Sequence, residues 1–121
     1  MEVVWHGEYV RYMEDGREAF GRQYGIGYTE IRDAGYVVPI VELNIQYKQS
    51  LKYDESAIVE TRYIRTEAAK ILFEYIIFRE SDGAVMATGS STQVFVDSRT
   101  GELELNNPDF YQAWREKWNI G

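Results

Sequence analysis

The segment Lys70–Arg79 constrains the fold most. Ile71, Phe73, Tyr75 and Ile77 are apolar, and so are Leu72, Ile76 and Phe78 between them. Successive side chains of a strand point to opposite faces. A strand apolar on both faces must be covered on both, so this one is predicted inside a sheet rather than at its edge. Ser81-Asp82-Gly83 follows at once, a tight-turn signal that returns the chain as an antiparallel neighbour from Ala84 to about Val96. Two further strands precede it. Val41, Leu43, Ile45 and Tyr47 alternate with Glu42, Asn44 and Gln46, and Val59, Thr61 and Tyr63 share a face between Ser56 and Arg65. The links are too short for parallel crossovers, so the sheet is antiparallel.

Helices flank this sheet. From about Gly7 to Tyr24, Tyr9, Tyr12, Met13, Phe20 and Tyr24 recur at helical spacing. Gly16 interrupts that stripe at a cost of about 1 kcal/mol relative to alanine, which implies close approach of another backbone. Gly25 and Gly27 stop the helix, and Thr29–Ala34 adds a turn or two. Asn107-Pro108 opens a C-terminal helix with Phe110, Trp114 and Trp118 on one stripe. Ala87, Gly89, Ser90 and Ser91 are small for a long strand, which implies bending or a tight contact. The expectation is an α+β domain with a long helix wrapped by a curved sheet.

Composition removes several function classes. Of 121 residues, 20 are acidic and 13 basic, a net charge of −7 that disfavours nucleic acid as a partner. Without cysteine there is no disulfide and no thiolate chemistry, and a single histidine leaves no metal cluster to expect. No apolar run has the roughly 20 residues of a membrane span, and Met1-Glu2-Val3-Val4-Trp5 lacks the basic start of a signal peptide. A cytoplasmic location is expected. The 18 aromatic residues are many for this length, so some are expected in a subunit interface.

Few residues carry chemistry. Gly21, Gly25 and Gly27 follow a helix rather than a strand, so a dinucleotide loop fails its context. Gly89-Ser90-Ser91 has no nucleophile elbow. His6 stands just ahead of the long helix, where unpaired N–H groups and the helix dipole favour developing negative charge. That suits an oxyanion site. Glu8, Glu14 and Asp15 are the nearby carboxylates.

The stretch Val3-Val4-Trp5-His6-Gly7-Glu8-Tyr9-Val10-Arg11-Tyr12-Met13-Glu14-Asp15-Gly16-Arg17 resembles the signature of the hotdog-fold acyl-CoA thioesterases. The similar subgroup contains 4-hydroxybenzoyl-CoA thioesterase and the Tol–Pal-associated thioesterases. Tyr47-Lys48-Gln49-Ser50-Leu51-Lys52-Tyr53-Asp54-Glu55 is similar to the family's strand-to-loop segment, with Ser50 in place of a proline. Phe73-Glu74-Tyr75 and Gly89–Val96 fit its last two strands.

The resemblance implies a single hotdog domain over residues 1–121 that acts without a cofactor. The implied reaction is hydrolysis of an acyl-CoA substrate to free acid and CoA, at the interface of a homodimer or homotetramer. Backbone N–H groups at the helix start would polarise the carbonyl. His6 falls on the family's His/Tyr position and Tyr9 on its motif tyrosine. The family's catalytic aspartate precedes that histidine and falls upstream of Met1, as does most of the first strand. Three explanations stay open: the chain begins at an internal methionine of a longer natural protein, it is an inactive relative, or a different carboxylate serves, for which Glu8 is the candidate. Trp5 and Tyr47 are expected to contact substrate, and Arg65 and Lys70 the CoA phosphates. The missing aspartate keeps open a non-catalytic hotdog domain that binds an acyl thioester, and the aromatic residues keep open an assembly module.

Overall fold

The strand that is apolar on both faces does lie inside the sheet. In the computed structural model, which describes residues 6–49 and 55–119 with side chains from Glu8 onward, the order is α1 (His6–Tyr24), α2 (Tyr28–Asp33), β1 (Tyr36–Val37), β2 (Ile40–Tyr47), β3 (Ala57–Ile64), β4 (Lys70–Arg79), β5 (Val85–Val94), β6 (Val96–Asp97) and α3 (Asp109–Lys117). Four strands form an antiparallel sheet in the order β2-β5-β4-β3, and β1 pairs with β6 beside it. β4 buries Ile71, Phe73, Tyr75 and Ile77 on the helix side and half-buries Leu72, Ile76 and Phe78 on the other. The turn at Ser81-Asp82-Gly83 forms as predicted. Gly83 takes a positive φ, and its N–H donates to the Arg79 carbonyl.

α1 crosses the sheet diagonally. Tyr9 meets Tyr47 of β2, and Phe20 meets Phe73 and Tyr63 on β4 and β3. Small residues make the crossing possible. A Cβ at Gly89 would meet the terminal methyl of Met13 and lie 2.7 Å from the Asn44 carbonyl oxygen. A Cβ at Gly16 would overlap Thr61 Oγ1. The neighbour that explains Gly16 is therefore the Thr61 side chain, not a second backbone as the sequence implied. Thr61 Oγ1 is buried and has no hydrogen-bond partner among the described residues. Overpacking of this kind costs about 1–3 kcal/mol, against about 1 kcal/mol of helix propensity gained by alanine. Gly16→Ala alone is thus expected to destabilise. Gly16→Ala with Thr61→Ala is expected to recover most of the loss, because the removed hydroxyl bonds to nothing. Equal denaturation midpoints for the single and the double variant would contradict this packing.

Three sequence expectations need correction. Val41 (59% exposed) and Tyr47 (44%) are not buried on the β2 face. β2 is an edge strand with a register shift between Ile40 and Glu42, and only Leu43 and Ile45 are half-buried against the core. The last strand is not continuous from Ala84 to Val96. It breaks at Phe95, whose fully buried ring packs on Tyr36, Phe110 and Tyr111, and β6 turns away to pair with β1. In α3, Trp118 lies past the helix end and is exposed, whereas Tyr111, off the predicted stripe, is buried. Among the described residues, Tyr28, Tyr47 and Trp118 are exposed and the other aromatic side chains are buried or half-buried. Phe20, Tyr63, Phe73, Tyr111 and Trp114 form one connected set of ring contacts.

Candidate functional site

The start of α1 is the chemically distinctive place. Its first-turn N–H groups, from His6 onward, have no acceptor within the helix. The dipole adds partial positive charge there. Glu8 lies in that first turn, half-exposed, with Arg11 one turn on and 3.5 Å away. Tyr12 lies beside them, one turn from Glu8. Burial, and next the negative charge of Glu8, push the Tyr12 phenol above its usual range. It therefore stays protonated at neutral pH and can donate a hydrogen bond.

Tyr9 points the other way. It is 2% exposed, and its ring sits edge-on to Tyr12 at 6.1 Å and to Tyr47 at 5.1 Å. The structure thus brings together two residues that the sequence nominated for different roles. Tyr47 is exposed and ends β2, so the Tyr9–Tyr47 contact fixes the start of α1 against the end of that strand. Tyr9 serves as the buried side of this corner and Tyr47 as the accessible side.

The other nominated residues fall elsewhere. Trp5, the His6 side chain and the segment 50–54 lie outside the described residues. Arg65 follows β3 and pairs with Glu67 at 2.5 Å, and Lys70 is exposed at the start of β4. Tyr47 is level with Ala87, which pairs with Ile77, seven residues along β4 from Lys70. At about 3.3 Å per residue, Lys70 lies roughly 23 Å from the Tyr47 end. A single chain does not bring Arg65 and Lys70 to the start of α1.

Two features were missed in the sequence. Tyr12 was counted only as a core residue, although its i+4 spacing from Glu8 already places both on one helix face. Arg17 was noted only within a motif. Its Nη1 donates to Tyr75 Oη at 3.0 Å, and that hydroxyl shares a 2.6 Å hydrogen bond with Ser91 Oγ. Burial holds the Tyr75 phenol above its usual range. Among the described residues no cluster of three or more His, Asp or Glu could hold a metal ion, and no helix is long and apolar enough to cross a membrane.

Comparison with known proteins places this geometry in a family. Residues 1–114 match the thioesterase-like superfamily. The chain belongs to the thioesterase-like superfamily. YneP of Bacillus subtilis, named as a candidate acyl-CoA thioesterase, is 31% identical over 96% of this chain and 86% of its own length. The solved structure of a DHNA-CoA thioesterase from Staphylococcus aureus superposes with a TM-score of 0.83 at 26% identity, covering 99% of this chain and 82% of that one. A 1,4-dihydroxy-2-naphthoyl-CoA thioesterase from Synechocystis shares the fold at 14% identity, with a TM-score of 0.81 over 97% of this chain and 85% of that one. The hotdog architecture expected of this superfamily is the one described above: a long helix laid across a curved antiparallel sheet.

Proposed function

We propose that this chain hydrolyses an acyl-CoA thioester to the free acid and CoA at the N-terminal end of α1. The observation that carries the reading is the superfamily match over residues 1–114, which spans the start of α1, Tyr47 and the whole sheet. The names of YneP and of the Staphylococcus aureus structure support the choice of substrate. The thioester carbonyl oxygen lies against the first-turn N–H groups, oriented by His6. Glu8 removes a proton from water, and the water oxygen attacks the carbonyl carbon. The tetrahedral oxyanion is held by the same N–H groups. The C–S bond then breaks, CoA leaves as a thiolate and takes up a proton, and the acid is released. In this proposal Trp5 and Tyr47 contact the substrate.

Arg65 and Lys70 bind the CoA phosphates in this proposal. Their separation from α1 in one chain favours a homodimer or homotetramer in which they serve a neighbouring site. Residues 1–121 act as one hotdog domain, and the proposed substrate places the reaction in the cytoplasm. The half-exposed Glu8 paired with Arg11 favours a second reading, binding of the thioester without turnover.

The test is thiol release from a panel of acyl-CoA esters by the folded chain, with sedimentation run in parallel. The expected result is saturable turnover by a species of at least twice 14.1 kDa. Saturable ester binding without thiol release would support the binding reading instead. Neither activity in a well-folded oligomer would leave an assembly module.

A further inference from the structure

A second place in the chain is built to hold a ligand. A cavity of about 250 Å³ lies between α1, α2 and the sheet, lined in part by Arg17, Phe20, Ile26, Phe73, Gln93 and Trp114. It is separate from the start of α1. Arg17 lies eight residues along the helix from Tyr9, about 12 Å, and the fully buried Met13 stands between them.

The lining is aromatic with one withdrawn cation. Three other charged residues reach the cavity, Glu18, Arg22 and Glu30, and all three are exposed. Glu18 and Arg22 lie 4.0 Å apart, each the other's counter-charge. Arg17 alone is half-buried, and among the described residues no carboxylate pairs with it. Its Nη1 bond ends on a neutral phenol, and its Nε is buried without a partner. A guanidinium withdrawn from water without an anion is costly, and an incoming carboxylate relieves that cost through charge-assisted hydrogen bonds. Gln93 has one of its two amide N–H groups committed to the Val38 carbonyl at 2.9 Å, and it carries no charge to match a carboxylate. Arg17 is therefore the main polar anchor.

Size and shape select the rest of the ligand. An apolar cavity of about 150 Å³ accommodates benzene, so this one admits one or two fused rings. Phe20 contacts both Phe73 and Trp114 edge-on, an arrangement that a further aromatic ring can join.

We infer that this cavity binds an aromatic carboxylate of one or two rings, with the carboxylate on Arg17 and the ring among Phe20, Phe73 and Trp114. The inference goes beyond the proposed hydrolysis and needs no CoA.

Fluorine NMR titration of the full chain with 4-fluorobenzoate tests it, with 4-fluorobenzyl alcohol as the uncharged counterpart. Saturable binding of the acid is expected, at least about tenfold tighter than the alcohol. Arg17→Gln is expected to abolish that preference, and Val38→Phe, which fills the cavity from β1's end, to abolish binding of both. If Arg17→Gln fails to fold, Arg17→Lys together with the acid-to-alcohol ratio of the unaltered chain decides. No saturable binding, or equal binding of acid and alcohol by the unaltered chain, overturns the inference. Thiol release is measured separately, so either proposal can fail alone.

Discussion

Replacing Trp114 with alanine is expected to lower the unfolding free energy by about 3–5 kcal/mol, the range for a buried Trp truncated to Ala. Two losses combine. The indole is 6% exposed and packs against Tyr63 at 5.3 Å and parallel to Tyr111 at 5.7 Å. Its Nε1 also donates to the Tyr24 carbonyl at 2.7 Å, satisfying the C-terminal end of α1. One contact thus ties the last helix to the end of the first, across ninety residues of sequence. Trp114→Phe keeps most of the ring contact and drops the hydrogen bond. Its expected cost is smaller, about 1 kcal/mol beyond the lost ring area, because Trp118 Nε1 donates to the same oxygen at 3.1 Å. Urea denaturation of the three proteins checks both values. A loss below about 1 kcal/mol for Trp114→Ala, at unchanged denaturant slope, would mean that α3 does not unfold with the sheet.

The same contact shows what the sequence could and could not convey. Local periodicity announced β4, the Ser81-Asp82-Gly83 turn and α1, because each depends on residues within a few positions of one another. The break at Phe95 was not legible. It depends on Tyr36 and Phe110 arriving from two other elements to enclose one ring. Gly16 and Gly89 announced a close approach but not its partner, since Thr61 and Met13 are brought there by pairing and crossing far along the chain. For the candidate site, the helix start and Glu8 could be read from the sequence, and so could Tyr9 and Tyr47 singly. Their contact could not, because it joins α1 to an edge strand. Nor could the separation of Lys70 from α1, which is a property of sheet register. Nor could the contact of Arg17 with Tyr75, and of Tyr75 with Ser91, because it joins α1 to two strands far along the chain.

Glu8→Gln is expected to reduce thiol release by about 10²–10⁴-fold, the usual contribution of a general base. Glutamine keeps the length and polarity of the side chain but cannot accept the proton. The change lies in the first turn of α1, on its half-exposed side, so the core under Tyr9 and Met13 should be undisturbed. A matched loss in kcat and kcat/KM would mark an interaction made in the transition state. Arg11→Ala separates this role from simple ion pairing. Arg11 is the partner of Glu8 at 3.5 Å and is itself largely exposed. Its removal should leave turnover within a few-fold if Glu8 acts as a base, since an exposed pair contributes little. If Glu8 matters only for the helix start, both variants should shift stability slightly and neither should shift kcat. Full turnover in a folded Glu8→Gln chain would remove Glu8 as the base. The helix-start N–H groups would then polarise the thioester while another carboxylate activates water.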